Sequence, residues 1–249
     1  MFLFDEETRL DPSLFLDELD KYFLDVPTEC PYGLPHVAVY HQARFDTLSN
    51  QVFHMLLDAG FRRNGNCFYS MRCKSCDACI PIRLNPGEYF PNRNQKRVRK
   101  ANEDVEIELG PLSMCRENLE LLNRFLDVRF PGRGNSSDGY YAGFFINTFG
   151  KTLEMRYRVG GRLIGVGIVD VSGEFANAVY FYFDPDEGRR SPGTLNILSL
   201  IDLCKEQEVS NLYLGYVIRS VRSMSYKFAF RPHFLLRKGQ WIRKTGRET

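Results

Sequence analysis

A run of three cysteines at two-residue intervals constrains this chain more than any other feature. Cys73, Cys76 and Cys79 form a C-x-x-C-x-x-C pattern that continues directly into Ile80-Pro81-Ile82-Arg83. Thiols at this spacing can turn toward one point, as metal ligands or as a redox cluster. The alternative is a cysteine-rich turn that packs without a metal.

The total number of cysteines limits the roles that this run can have and the compartment in which it occurs. The chain has 249 residues and seven cysteines, an odd number that favours metal, redox or free-thiol roles in a reducing compartment. A tetrahedral site needs a fourth ligand, for which Cys30 and Cys67 are the candidates, and such a set suits structural zinc or an iron–sulfur cluster. We see neither a membrane span nor a signal peptide, so we expect a cytoplasmic protein without membrane contact.

The charge is unevenly distributed along the chain, although the net charge is only +2. Residues 1–29 carry nine acids against two bases, and residues 216–247 carry nine bases and no acid. A further basic string, residues 92–100, follows the cysteine run and contains Arg93, Lys96, Arg97, Arg99 and Lys100. Such polarity orients a polyanion toward one side of a molecule, so we expect contact with nucleic acid.

Hydrophobic periodicity predicts an α+β fold. Residues 26–46, interrupted by three prolines, are expected to be irregular. Helices are predicted at 48–59, at 116–130 and from a cap at Thr194 to about residue 208, and strands at 81–84, 153–159, 162–171, 177–183 and 211–218. We expect a small cysteine-containing N-terminal domain, 1–103, and a mixed α/β domain with a largely antiparallel sheet, 104–249.

Residues 211–232 form the block richest in chemistry. Alternation in a strand places Tyr213, Gly215 and Val217 on one face, with Leu214, Tyr216 and Ile218 on the other. Gly215 allows a ligand or another backbone to approach closely. Tyr226 and Lys227 then place a phenol beside a cation.

Residues 190–194 suggest a second class of function. Arg190-Ser191-Pro192-Gly193-Thr194 partly resembles the R-x-x-G-x-A/G pyrophosphate loop of GNAT-type acetyltransferases, where amides at a helix N-terminus bind phosphate. Leu195 replaces the small final residue and crowds the approach. The match therefore keeps open a coenzyme-A-dependent N-acetyltransferase, and a simple turn into a helix explains it equally well.

Several motifs, in order, resemble the aminoacyl-tRNA–protein transferase family. Gly60-Phe61-Arg62-Arg63, Tyr69, the cysteine run with I-P-I-R and the N-Q-K-R string look like its N-terminal domain. The C-terminal domain is matched by residues 138–140, 179–185, 193–194 and 213–216, and by Met224-Ser225-Tyr226-Lys227. The bacterial aspartate/glutamate leucyltransferases are the most similar branch, and the eukaryotic arginyltransferases are their relatives.

The resemblance implies an activity and a fold. The enzyme would move an amino acid from a charged tRNA to the α-amine of a protein that begins with Asp or Glu, which marks that protein for N-degron proteolysis. It implies a GNAT-like catalytic half, with no cofactor required for transfer. The eukaryotic relatives carry an N-terminal C-x-x-C, but here Gly33 stands three residues after Cys30. Their iron–sulfur cluster therefore does not carry over directly, and Cys30, Cys73, Cys76 and Cys79 form the expected metal set.

Aminolysis of an ester assigns roles to particular residues. The tetrahedral intermediate needs hydrogen-bond donors or a proton relay, for which the candidates are Tyr213, Tyr216, Tyr226 and Asp184. The acceptor carboxylate needs a cation, for which the candidates are Arg83, Arg222 and Lys227. The five basic residues of 92–100 are assigned to tRNA.

The donor amino acid and one rival function remain open. An arginine pocket requires a buried acid, for which Asp138, Glu154 and Asp184 are available, whereas a leucine pocket is apolar. The bacterial resemblance favours leucine over arginine. A non-catalytic zinc module that binds RNA is a third hypothesis beside transferase and acetyltransferase.

Overall fold

Two sheets form the framework of the protein in a computed structural model that describes residues 12–246. The acids at 5–11 and the terminal segment 247–249 therefore lie outside the described residues. The helices are α1 Pro12–Asp20, α2 Asn50–Asp58, α3 Arg93–Lys100, α4 Arg116–Arg129, α5 Ser137–Phe144, α6 Pro192–Glu206 and α7 Arg222–Ser225. Short 3-10 helices occur at Pro86–Glu88, Pro185–Arg190 and Tyr226–Ala229.

The strands of the described part are β1 Leu24–Glu29, β2 Val37–Arg44, β3 Arg62–Asn64, β4 Cys67–Met71, β5 Ile80–Leu84, β6 Val105–Pro111, β7 Thr152–Val159, β8 Arg162–Val171, β9 Phe175–Phe183, β10 Asn211–Val217, β11 His233–Arg237 and β12 Gln240–Lys244. The mixture of helices and largely antiparallel strands confirms the α+β prediction.

The small sheet has the order β1-β2-β4-β3 and is antiparallel throughout. Our expectation that residues 26–46 are irregular was wrong, because β1 and β2 lie within them. Pro27 is tolerated because β1 is the edge strand, where a missing amide donor costs no ladder bond on the outer side. Gly60, with a φ of +90°, follows α2 as expected.

The large sheet has the order β12-β11-β5-β10-β9-β8-β7-β6. Adjacent strands run antiparallel except β9 and β10, which run parallel and are connected through α6. Strand β5 belongs to the N-terminal half of the chain, yet it lies between β11 and β10. The predicted division at residue 103 stays a prediction, since both halves contribute strands to this sheet.

Helices α4, α5 and α6 pack apolar side chains against the large sheet. The predicted inward residues Ile197, Ile201 and Cys204 are buried in the central cluster. Leu122 and Leu126 of α4 pack with Tyr141 and Phe145 in a second cluster. Helix α6 begins earlier than predicted: its N-cap is Ser191, with a φ of +56°, rather than Thr194.

A buried ion pair fastens the small sheet to the large one. Arg63 of β3 donates from Nε to Asp170 of β8 at 2.7 Å and makes a second bond to the same carboxylate through Nη2. Both side chains are at most 1% exposed. Thr152 donates to the same carboxylate at 2.7 Å, and Arg63 also reaches the Phe145 carbonyl. This network holds β3, and hence the neighbouring Arg62, at a defined position beside the large sheet.

Candidate functional site

A bulge in β10 shapes the centre of the candidate site. Gly215 has a φ of +77°, and the pairing of β10 with β5 shifts between Tyr213 and Tyr216. Both tyrosines consequently face the small sheet, whereas Leu214 and Val217 lie in the central core. The expected alternation was wrong here, because a bulge interrupts the period of two.

Strands β9 and β10 separate at this bulge. Their parallel pairing covers Asn211 to Tyr213 of β10, opposite residues 175–177 of β9. Beyond it lies what we call the β9–β10 gap, the space between Ala178 of β9 and Gly215 of β10. A separation between paired strands exposes backbone polar groups, which other groups must then satisfy.

Arg62 occupies one side of the gap. Its Nη1 donates to Asn177 Oδ1 at 2.5 Å, and its Nη2 donates to the Ala178 carbonyl at 2.6 Å. A Cβ on Gly215 would lie 3.0 Å from the guanidinium carbon, so only glycine permits this approach. Burial lowers the pKa of Arg62, and its hydrogen-bond partners among the described residues are neutral. Sequence reasoning treated Arg62 as part of a family motif and missed it as a site residue.

Lys227 occupies the other side of the gap. Its Nζ donates to the carbonyls of Leu214 at 2.7 Å and Tyr216 at 2.8 Å, the residues that flank Gly215. Burial, aided by the charge of Arg62, lowers the pKa of Lys227 to about 7. The structure therefore places the Lys227 amine against the main chain of Tyr216, whereas the phenol of Tyr216 points to Gly60.

Tyrosines line the space between the gap and the small sheet. Burial raises the pKa of Tyr69 to about 12 and that of Tyr32 and Tyr216 well above the ordinary value. At neutral pH these groups are phenols that can donate hydrogen bonds to an oxyanion. The hydroxyl of Tyr216 donates to the Gly60 carbonyl at 3.2 Å, a long bond that a substrate oxygen can replace.

Tyr226 stands beside the N-terminus of α6. Burial raises its pKa to about 12, and its hydroxyl would lie 3.1 Å from a Cβ on Gly193. The loop that resembles a pyrophosphate site is thus covered by this phenol. Its arginine, Arg190, is paired with Asp104 at 2.8 Å and with Glu187 at 2.8 Å.

Two predicted site residues are engaged elsewhere. Asp184 directly follows β9 and caps the next 3-10 helix through a bond from the Asp186 amide at 3.1 Å, with Arg124 and Arg162 paired to its carboxylate. Arg83 is bonded to Asp58, and its guanidinium lies 4.6 Å from the centre of the Trp241 ring.

Tyr213 shares that second arrangement. Its hydroxyl donates to Asp58 at 2.7 Å and accepts from Arg83 at 3.3 Å. The described contacts thus place Arg83 and Tyr213 with Asp58 and Trp241 near α2, and Asp184 at the opposite end of β9 from Asn177. In the described part of the chain, neither group makes a hydrogen bond or an ion pair with Lys227 or Arg62.

A cavity of about 370 Å³ opens where the small sheet meets the loops of the large one. It is lined by Pro31, Tyr32, Arg129, Phe130, Pro131, Arg133, Val221 and Ser223. Arg129 donates to Ser223 Oγ at 2.6 Å, and no carboxylate lines the cavity within the described chain. The predicted Arg222, exposed and located between two lining residues, belongs to the same region.

Helix α3 carries the basic string on its exposed side. Asn92 and Gln95 form a capping box, and both side chains also donate to the Ala229 carbonyl, at 3.2 and 3.3 Å. Ala229 is two residues beyond Lys227, so α3 adjoins the gap. Four of its predicted tRNA contacts are exposed, namely Arg93, Lys96, Arg97 and Lys100. Arg99 instead makes a two-pronged ion pair with Asp202 at 2.6 and 2.8 Å.

The four predicted metal ligands are neighbours. Burial raises the pKa of the Cys79 thiol to about 12, and Cys73, Cys30 and Cys76 add to the effect through their charges. Cys67 faces Gln42 of β2 instead, at 3.8 Å, so Cys30 is the better fourth member. Within residues 12–246, however, no group of three or more His, Cys, Asp or Glu side chains has the geometry to hold a metal ion.

Comparisons with known proteins identify the family. A sequence model described as Arginine-tRNA-protein transferase, N terminus, matches residues 28–97, and its C-terminus counterpart matches residues 117–237. A Marinobacter nauticus protein named aspartate/glutamate leucyltransferase is 32% identical over 231 residues, covering 88% of this chain and 94% of its own. An Aeromonas salmonicida protein of the same name is 37% identical over 191 residues, covering 76% and 80%.

A solved GCN5-related glucosamine N-acetyltransferase region of a fungal GH3 beta-N-acetylglucosaminidase is a distant structural neighbour. It has a TM-score of 0.42 and 12% identity, and the match covers 89% of this chain and 24% of that one, too little to inform the site. The two sequence models and the curated relatives carry the assignment instead. The chain therefore belongs to the arginine-tRNA-protein transferase family and is a transferase.

Proposed function

We propose that this enzyme transfers leucine from leucyl-tRNA to the α-amine of proteins that begin with Asp or Glu, and so marks them for N-degron proteolysis. The observation that carries the proposal is the β9–β10 gap, where Arg62, Lys227 and protonated tyrosines converge beside a basic helix. The names of the relatives supply the donor and the acceptors.

The donor end would lie along α3 and enter the gap. The exposed basic side chains of α3 suit tRNA phosphates. This helix is bonded to the carbonyl of Ala229, two positions after Lys227 in the sequence. The ester carbonyl would then sit near Tyr216, whose phenol donates to the developing oxyanion. Positioning alone can supply about 7–11 kcal/mol of such a barrier in ideal cases.

The acceptor carboxylate would enter the cavity that contains Arg129 and Arg133. These arginines, with Arg222 next to them, provide cations without a carboxylate partner lining the cavity in the described chain. Arginine binds a carboxylate through two parallel hydrogen bonds, which suits an Asp or Glu side chain. Arg83, the earlier candidate, is already neutralised by Asp58.

The buried acids favour leucine over arginine as the donor. Glu154 is fully buried and bonded to Tyr141, Asn118 and Arg156. Asp184 is paired with two arginines. An arginyl group would need one of these carboxylates for itself, whereas a leucyl side chain needs only apolar and aromatic walls.

The cysteine group is proposed as a structural metal or cluster site. Cys30, Cys73, Cys76 and Cys79 suit such a group in number and chemistry, because all four thiols are partly buried and the charges of the other three act on Cys79. They would hold zinc or an iron–sulfur cluster that stabilises the small sheet and takes no part in transfer. Metal analysis of anaerobically purified protein, with Cys76→Ser as the comparison, tests this: metal lost in the variant supports it, and equal metal in both contradicts it.

The described structure does not favour the acetyltransferase alternative, since Arg190 is paired and Tyr226 covers the helix N-terminus. No helix in residues 12–246 is long and apolar enough to cross a membrane. We propose the cytoplasm as the compartment, because charged tRNA and reduced thiols occur there.

The test is a transfer assay with leucyl-tRNA and arginyl-tRNA supplied separately. Peptides that begin with Asp, Glu or Ala are the acceptors, and mass spectrometry detects the product. We expect a peptide longer by one leucine when Asp or Glu is first. An Ala peptide elongated equally well, or arginine transferred in preference, would contradict the substrate assignment.

A further inference from the structure

The main chain around Lys227 holds its amine in a fixed position. The 3-10 helix Tyr226–Ala229 continues α7, and Phe230 after it is fully buried against Tyr89, with ring centres 5.9 Å apart. The Ala229 carbonyl accepts two bonds from α3. The amine of Lys227 is thus fixed at the bulge rather than free to follow a ligand.

The number of carbonyl acceptors around Lys227 equals the number of N–H donors of a neutral amine. An ammonium has three donors and no acceptor, whereas a neutral amine has two donors and one lone pair. The carbonyls of Leu214 and Tyr216 accept two N–H bonds, at 2.7 and 2.8 Å. The remaining position of a neutral Lys227 is a lone pair, available to receive a proton.

The surroundings of Lys227 favour that neutral form. Arg62 faces it from β3, and burial together with this charge lowers the pKa of Lys227 to about 7. The titratable and charged groups on the elements around this turn include Arg62, Tyr69, Arg93, Lys96, Arg97, Arg99, Lys100, Tyr213, Tyr216, Arg219, Arg222, Tyr226, Arg231 and His233. Asp202 of α6 is held by Arg99, and no ion pair of the described chain includes Lys227.

We propose that Lys227 is the general base of the transfer reaction, an assignment that rests on the proposed function. The acceptor α-amine attacks the ester carbonyl, a C–N bond forms, and the neutral Lys227 takes the proton that the amine loses. The C–O bond to the 3′ oxygen then breaks, and Lys227 returns the proton to that oxygen. The lysine ends neutral, so one residue completes the proton balance. This replaces its earlier assignment to the acceptor carboxylate.

The pH dependence separates a base from a structural support. The acceptor amine has a pKa of about 7.7–8.0, so it titrates just above the lysine. If both amines must be neutral, the logarithm of the single-turnover rate rises with a slope of two below the lower pKa and a slope of one between the two. Lys227→Arg keeps N–H donors for the two carbonyls but stays charged, because a guanidinium cannot lose its proton. We expect a slope of one throughout and a rate about 100-fold to 10,000-fold lower.

Lys205→Met is the matched control, because Lys205 also donates to a backbone carbonyl, that of Tyr89 at 3.1 Å, without touching the gap. It should keep the wild-type rate and slopes. A Lys227→Arg enzyme with wild-type rate and slopes, or one whose only defect is weaker binding of the Asp peptide, overturns the assignment. Wild type without any product would instead overturn the proposed function.

Direct titration keeps the inference testable if the Lys227 variants fail to fold. NMR of wild-type enzyme with 13C-labelled lysine should show one side-chain resonance, assigned through its proximity to Tyr226, that titrates near pH 7. Titration of this resonance above about pH 9, where an ordinary lysine begins to lose its proton, would refute a neutral base at neutral pH.

Discussion

Replacing Gly215 with alanine tests whether the bulge exists to admit Arg62. Gly215 has a φ of +77°, and an added Cβ would lie 3.0 Å from three guanidinium atoms. Left-handed backbone costs a non-glycine residue about 1–2 kcal/mol. Moving Arg62 would also break a bond of a charged group, to Asn177 or to Ala178, worth about 1.5–3 kcal/mol.

Gly161 provides the matched control. Its φ is +79°, nearly the same, but nothing lies within 4 Å of its added Cβ. Gly161→Ala should therefore lose about 1–2 kcal/mol of unfolding free energy from strain alone. Gly215→Ala should lose about 2.5–5 kcal/mol, the sum of the two effects.

Urea denaturation followed by the fluorescence of Trp241, the single tryptophan, measures both losses. Transfer activity should fall in Gly215→Ala and stay unchanged in Gly161→Ala. Equal destabilisation of the two variants, with transfer retained in both, would refute the idea that Gly215 makes room for Arg62.

Three further predictions concern the scaffold and the tRNA. Arg63→Met should lower the free energy of unfolding by about 3–5 kcal/mol in urea, because it leaves Asp170 buried without its cation, whereas Arg116→Ala on the exposed face of α4 should change it little. Replacing Lys96 and Arg97 with alanine should weaken tRNA binding and reduce the slope of log K against log salt by about 0.7–0.9 per lost phosphate contact. An unchanged slope in this double variant would remove α3 from the interface. Arg99→Ala should mainly lower stability, because it loses the ion pair with Asp202. Asp184→Asn should leave transfer intact but lower the free energy of unfolding at pH 7. Burial opposes ionisation of Asp184, yet the Asp186 amide and the charges of Arg124 and Arg162 lower its pKa overall. Wild type therefore loses its stability advantage as the pH falls through that pKa, and the unfolding free energies of the two proteins converge in acid. Loss of transfer in folded Asp184→Asn would restore Asp184 as a proton relay.

Elements with strong periodicity were predictable from the sequence. Helices α2, α4 and α6 and strands β7, β8 and β9 all lie where their apolar spacing places them, to within a few residues. The edge strand β1 was missed because Pro27 is unfavourable in a central strand and harmless at an edge. Whether a strand lies at an edge depends on its tertiary partners, which local sequence does not specify.

The site was predictable only in part, since it depends on contacts between distant segments. Lys227 and Tyr216 do meet at the bulge, but Arg62 enters from a hairpin 153 positions before Gly215, and no spacing rule connects them. The sequence did indicate an irregularity at Gly215, because a glycine inside a strand pattern often marks a bulge. Arg129 and Arg133 belong to a cavity formed by three segments that are distant in sequence, so neither stood out in the chain.

The most direct test of the account is a single-turnover assay with leucyl-tRNA, purified enzyme and a peptide that begins with Asp, compared between wild type and Arg62→Met. Wild type should produce a peptide extended by one leucine at its α-amine, and Arg62→Met should produce far less while remaining folded. An Asp peptide that wild type never extends, with either leucyl- or arginyl-tRNA, would contradict the account at its centre.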